Sequence, residues 1–167
     1  MYPKMVPDSA DESEKRVYEA LTTLGDDWVV IHDVRFVVPP RGKQPARNGQ
    51  ADFVLINPKQ GLLILEAKGG GYEVRDGTWL TFPGGIPTQM DRGPFAQATS
   101  NRYAITNYIA DASGLRGLPA GHAVVFTDGA PRGSLGPEAP GAIIIDGSHC
   151  RKYQSQTRRG GRNESNR

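Results

Sequence analysis

The chain has 167 residues, 37% hydrophobic and 23% charged, enough for one domain with a hydrophobic core and too few for two. Its formal charge of +2 belongs to the C-terminus: residues 151–167 hold six Lys/Arg and one Glu, so the rest carries 14 bases against 17 acids, a net of −3. The body therefore has no broad basic platform, a single cysteine (Cys150) with three histidines excludes a disulfide framework and Cys/His zinc arrays, and no apolar run approaches the roughly 20 residues that span a bilayer. With no signal-peptide pattern at the N-terminus, the reducing cytoplasm is the default location and no membrane partner is expected.

Ser9-Ala10-Asp11-Glu12 has capping-box spacing, and Val17, Ala20, Leu21 and Leu24 follow at helical intervals, predicting a first helix that ends at Gly25. Glu14 lies three residues before Val17 and seven before Leu21, on the buried stripe of that helix. It either marks the first turn, helped by the helix dipole, or points into a site. Trp28–Val38 reads as a strand, and Pro39–Gly49 as a basic loop whose Arg41, Lys43 and Arg47 either meet a phosphate backbone or are simply solvated.

Two apolar runs follow, Ala51-Asp52-Phe53-Val54-Leu55-Ile56 and Leu62-Leu63-Ile64-Leu65-Glu66-Ala67-Lys68, joined by Asn57-Pro58-Lys59-Gln60-Gly61. This is the pattern of a β-hairpin. Pairing about Lys59 sets Ile56 against Leu62, Val54 against Ile64 and Asp52 against Glu66, and the period of two adds Lys68 to the same face. After the hairpin, Gly69-Gly70-Gly71 permits a sharp turn or bulge, and Tyr72–Val74 with Thr78–Phe82 predict a second hairpin around Arg75-Asp76-Gly77. Pro94 opens a second helix to about Ala110, with Phe95, Ala98, Ile105 and Ile109 on its apolar side and Gln97 in its first turn. His122–Thr127 and Ala142–Asp146 read as short buried strands. From Arg151 apolar periodicity is lost, predicting a disordered basic tail over 151–167 whose Arg and Lys add salt-sensitive affinity for nucleic acid or do nothing.

Opposed carboxylates repel, and one pKa rises unless a cation lies between them. Oxygen ligands with room for water suit Mg²⁺, and a neighbouring ammonium serves to orient or deprotonate an attacking water, or to neutralise a phosphate. Asp52, Glu66 and Lys68 thus suit metal-dependent phosphodiester hydrolysis. The alternative is a solvated polar hairpin end with a Glu–Lys pair across it. No P-loop or G-x-S-x-G is present, which removes an ATP motor and disfavours serine hydrolysis.

The order of these pieces resembles the nuclease-related domain, NERD, of the PD-(D/E)xK nuclease superfamily. The resemblance rests on Ser13-Glu14-Lys15-Arg16-Val17-Tyr18-Glu19-Ala20-Leu21, Ala51-Asp52-Phe53-Val54-Leu55, Leu63-Ile64-Leu65-Glu66-Ala67-Lys68-Gly69-Gly70, Trp79 and Pro94-Phe95-Ala96-Gln97-Ala98. It implies an α/β, restriction-endonuclease-like core over residues 9–146: a central mixed β-sheet with flanking helices and a divalent-metal site at its open end. It further implies Mg²⁺ or Mn²⁺ held by Asp52, Glu66 and the Ala67 carbonyl, with Glu14 as a ligand or through a water. Lys68 would position the nucleophilic water, and Gln97 would hydrogen-bond near Lys68 or the scissile phosphate. The family's usual small polar or acidic residue before Asp52 is replaced by Gln50-Ala51.

The resulting expectation is a metal-dependent nuclease acting on DNA, with a non-cleaving nucleic-acid-binding or regulatory module of the same fold as the alternative. RNA cleavage is a further option that the sequence does not separate from DNA cleavage. Related domains are often fused to helicase or kinase modules, so a helicase or other DNA-processing partner is expected, and a truncated or frame-altered form of a longer protein stays open.

Overall fold

The computed structural model describes residues 1–40 and 45–147. The elements run α1 (Glu12–Leu21), β1 (Val29–Val38), β2 (Arg47–Asn57), β3 (Gly61–Lys68), β4 (Tyr72–Arg75), β5 (Thr78–Thr81), β6 (Thr88–Gln89), α2 (Pro94–Ser113), β7 (Ala120–Phe126), β8 (Arg132–Gly133) and β9 (Ile144–Asp146). Five strands form the main sheet in the order β1-β2-β3-β7-β9, and β6-β5-β4-β8 form a smaller one. In the main sheet β1, β2 and β3 are antiparallel, while β7 and β9 run parallel to β3. A parallel neighbour needs a crossover, and α2 supplies it between β3 and β7. This is the α/β, restriction-endonuclease-like core with a mixed sheet that the sequence predicts.

The two helices cover opposite faces. Val17 and Tyr18 of α1 pack with Val30, Phe53, Leu55, Leu65 and Ala67. Ile105 of α2 packs with Val54, Leu62 and Ile64, the alternate residues of the same strands. Phe95 and Ala98, at the start of α2, join Tyr72, Trp79 and Phe126 in a third cluster that fastens the small sheet to the large one. There the Trp79 and Phe126 rings stack nearly parallel with centroids 6.5 Å apart, and the indole N–H donates to Glu138 at 2.7 Å. Trp79 is thus part of the core, its one polar atom satisfied.

Several boundaries differ from the sequence expectation. The N-cap of α1 is Asp11, not Ser9: its carboxylate accepts the Glu14 N–H at 2.8 Å and the Ser13 hydroxyl at 2.6 Å. The helix stops at Leu21 rather than Gly25, because the Thr22 and Thr23 hydroxyls turn back onto the carbonyls of Glu19 and Ala20. β2 begins at Arg47, so the second half of the expected basic loop is strand; Arg41 and Lys43 lie outside the described residues, as does the tail from 148 on. α2 runs on to Ser113, where Gly114 takes the left-handed cap conformation.

The second hairpin forms where expected, but its turn is two residues and not three, since Arg75 joins the strand and the return strand ends at Thr81. Arg75 pairs with Thr78 around Asp76-Gly77, both at positive φ, as a two-residue type I′ turn requires.

Phe126 carries the junction between the sheets, being fully buried against Tyr72, Trp79 and Phe95. Phe126→Ala is expected to destabilise the chain by about 3–5 kcal/mol in urea unfolding. A loss under 1 kcal/mol would mean that the small sheet is not packed on the core as described.

Candidate active site at the end of the β2–β3 hairpin

The β2–β3 ladder runs from Asn57–Gly61 to Phe53–Leu65, the register centred on Lys59. Asn57 fixes the turn: its side-chain oxygen accepts the N–H groups of Lys59 and Gln60 at 2.9 and 3.1 Å. One step past the last pair, Asp52 stands opposite Glu66. Here the sheet is irregular. The β1–β2 ladder pairs His32 with Phe53 and Val34 with Ala51 but skips Asp33 and Asp52, and Asp33 has φ +55°. Phe53 belongs to the α1-side cluster, whereas Ala51 packs on the α2 side with Val34 and Phe36. Residues two apart in a regular strand share a face, so the β1–β2 arm turns its faces over at this point. Bulge-like breaks of this kind re-aim side chains, and the Asp52 carboxylate here accepts the Ala67 N–H at 2.8 Å.

Glu66 is 5% exposed and faces α2. Lys68 Nζ donates to its Oε1 at 2.7 Å, and Asn101 Nδ2 donates to its Oε2 at 3.3 Å and to the Gln50 carbonyl at 2.7 Å. Burial and the adjacent charge of Glu66 push the Asp52 carboxyl up to about 7, against the opposing pull of Lys68 and the Ala67 N–H. For Lys68, burial works downward, but the charge of Glu66 and the hydrogen bond to it, with Asp52 behind, hold the amine above its ordinary range. Lys68 is therefore an ammonium at neutral pH, which fits it to orient a water or meet a phosphate, not to remove a proton.

Glu14 reaches the same region from α1, its negative charge adding to the upward push on Asp52. One of its oxygens is held by His32 Nε2 at 2.7 Å. His32 is 5% exposed, wedged between Tyr18 and Phe53, and its Nδ1 has no hydrogen-bond partner among the described residues. In the sequence His32 carries no motif, being a lone histidine in an apolar strand, and Asn101 lies outside every quoted motif. The i, i+4 spacing of Gln97 and Asn101 was the available signal.

The family resemblance implies a hydrogen bond from Gln97 near Lys68 or to the scissile phosphate; in the structure its amide donates to the Arg92 carbonyl at 3.0 Å, satisfying backbone just ahead of the helix. It still lines a cleft of about 190 Å³ with Glu66, Asn101 and Arg47. The glycine turn after Lys68 is tied down in turn: the Gly70 N–H donates to Asp128 Oδ2 at 2.8 Å, and Arg16 holds the other Asp128 oxygen at 2.8 Å. A carboxylate already occupies that turn, so it is not a phosphate cradle.

Among the described residues no three His, Cys, Asp or Glu side chains form a metal-binding group. The side-chain donors are the two crowded carboxylates, Asp52 and Glu66. That set fits Mg²⁺, which commonly takes one or two carboxylates and keeps several waters; the raised Asp52 pKa comes first from burial and then from the charge of Glu66, the part that a cation would relieve.

The same crowding has a pH signature. Asp52 titrates near 7 in the folded chain against 3.8 ordinarily, so folding takes up a proton between those values. Its contribution to stability is full below about 4 and is lost as pH rises through about 7. Asp52→Asn, which keeps an acceptor for the Ala67 N–H, is expected to melt above the metal-free wild type at pH 8, with the gap closing as pH falls towards 4. A gap that does not change with pH would show that Asp52 is not crowded.

Residues 9–127 match the family model described as the nuclease-related domain, NERD. No curated protein and no solved structure shows a significant match to the chain. No helix among the described residues is long and apolar enough to cross a membrane. The match covers most of the chain and both carboxylates, Lys68, Gln97 and Glu14, and the chain belongs to the nuclease-related domain family.

Proposed function

We propose that the chain is a metal-dependent nuclease that hydrolyses phosphodiester bonds in DNA at the end of the β2–β3 hairpin. The observation that carries this reading is the Asp52–Glu66–Lys68 set: one carboxyl pushed up to about 7 beside a second that is buried, with an ammonium 2.7 Å from it. A merely structural hairpin end has no need of two carboxylates crowded in a half-buried place, since the charge cost falls on stability.

Mg²⁺ or Mn²⁺ held by Asp52, Glu66 and the Ala67 carbonyl, with Glu14 joining through a water, would supply a water of lowered pKa and neutralise charge on the phosphate. The chain's own groups do the rest. The Ala67 N–H and Asn101 fix the two carboxylates in orientation. Lys68, held protonated, donates to the attacking water or to the phosphate oxygen where negative charge develops. Gln97, on the wall of the same cleft, is placed to exchange the Arg92 carbonyl for a phosphate contact. His32 steadies Glu14 from behind, as outer partners of carboxylate ligands do.

A second reading, a non-cleaving nucleic-acid-binding or regulatory module, draws support from one observation: both Glu66 oxygens are already engaged, by Lys68 and Asn101. Nicking of supercoiled plasmid in Mg²⁺ or Mn²⁺ separates the two. Cleavage is expected with the wild type and is expected to fall at least 100-fold in Lys68→Ala, the scale of losing one charge-stabilising donor. A folded wild type that leaves both plasmid and single-stranded DNA intact in both metals would establish the non-cleaving module.

The same assay tests His32. His32→Leu is expected to lower cleavage and Mn²⁺ affinity 10–100-fold, while His32→Gln, which retains a donor for Glu14, recovers most of both. Equal losses in the two variants would assign His32 to packing alone.

A further inference from the structure

The cleft beside Glu66 does not end there. It shares Val38, Arg47, Ser100 and Ala104 with a second cleft of equal volume, about 190 Å³, whose outer wall is Tyr103 and Asn107. Together they make one groove between the turned-over β1–β2 arm and α2, leading from Glu66 to solvent. Each half is smaller than the roughly 300–1,000 Å³ typical of sites for drug-sized ligands, and only the joined groove comes within that range.

The lining is of two chemical kinds. Arg47, exposed where the two halves meet, presents a guanidinium group suited to phosphate, while Arg92, at the Glu66 end, already donates to the Ala96 carbonyl at 2.8 Å and the Ser100 hydroxyl at 2.6 Å and adds positive charge to that wall. At the outer end Tyr103 is 55% exposed, and Arg102 covers one face of its ring with the guanidinium carbon 4.2 Å from the centroid. An exposed tyrosine backed by a cation, next to arginines in a narrow polar groove, is the equipment of a stacking platform for an unpaired base.

Charge bears on which form of nucleic acid it takes. Affinity for a duplex comes largely from counterions released by many phosphate contacts, and residues 1–150 carry a net charge of −3. A single strand adds to its phosphate contacts the stacking of unpaired bases on aromatic side chains, which a duplex with its bases paired cannot offer. We infer that this groove guides one unpaired DNA strand to Asp52 and Glu66, with Tyr103 stacking a base and Arg47 meeting the phosphate between that base and the carboxylates. The assignment of DNA as occupant rests on the nuclease reading above; the groove itself does not.

Binding of a fluorescent oligothymidylate and of a duplex of equal length to the full chain, in EDTA so that neither is cut, tests the inference. The basic tail contributes equally to every variant, so differences report on the groove. The single strand is expected to bind at least tenfold tighter than the duplex. Tyr103→Ala should weaken single-strand binding on the order of tenfold without changing its salt dependence, while Tyr103→Phe should bind as the wild type does. Arg47→Ala should lower the slope of log affinity against log salt by about 0.7, the share of one single-strand phosphate contact. Single-strand affinity unchanged in Tyr103→Ala, a duplex bound as tightly as the single strand, or an oligouridylate bound more tightly than the oligothymidylate would each overturn it. Absence of cleavage in Mg²⁺ with this binding pattern intact would overturn the nuclease reading and leave the groove standing.

Discussion

A slip of one residue in the β2–β3 ladder would turn Glu66 from the α2 face of the sheet to the α1 face, because side chains alternate with a period of two. The observed register brings Asp52 opposite Glu66 and keeps Lys68 on the side of Glu66. Two things hold it. Asn57 caps the three-residue turn with its own side chain, which sets the loop length, and the two faces of the ladder are committed to different helices, Phe53 and Leu65 to α1, Val54 and Ile64 to α2. A slipped ladder would put both apolar sets in the wrong layer at once. Register and core packing therefore enforce the same geometry, and the site inherits its precision from both.

Regular pairing would not by itself have produced the site. At Asp33 and Asp52 the β1–β2 ladder loses a pair, Asp33 takes a left-handed conformation, and the arm beyond rotates its faces. The break frees the Asp52 carboxylate to meet the Ala67 N–H, and it swings the outer part of β1 and β2 over α2 so that a groove opens beside Glu66. One local irregularity thus serves both the carboxylate pair and the approach to it. Gly49 fits this arm closely: a Cβ there would lie 2.2 Å from the Phe36 ring, so a side chain at that position would have to displace the ring.

The electrostatics of the site are those of carboxylates crowded at a half-buried place. Asp52, Glu66 and Glu14 converge from two strands and a helix; Lys68 offsets part of their charge, and His32 hydrogen-bonds one Glu14 oxygen. Farther out, Arg16 and Asp128 clamp α1 to the glycine turn that follows Lys68, so the end of β3 is held from both sides. The rigidity matters for function, since pairs of carboxylates act on a shared cation or substrate only when their separation is fixed.

Local sequence alone determined the hairpin, its centre at Lys59, both helices, the type I′ turn and the order of chemistry-bearing residues, because each depends on contacts a few residues apart: alternation, turn chemistry and helical spacing. Helix ends were read less well, since Asp11 and Ser9 are equally good caps on paper and only the folded segment shows which carboxylate the Glu14 N–H meets. Tertiary structure decided what depends on distant neighbours. Nothing in Val30-Ile31-His32-Asp33-Val34 distinguishes a strand that keeps its face from one that turns over, as the hydrophobic alternation is the same in both. His32 became a partner of Glu14 only when α1 settled on β1, and Asn101 a partner of Glu66 only when the crossover placed α2 above β3. Those contacts join residues 18 and 35 positions apart in the chain, and it is the packing of layers, not any local preference, that brings them together.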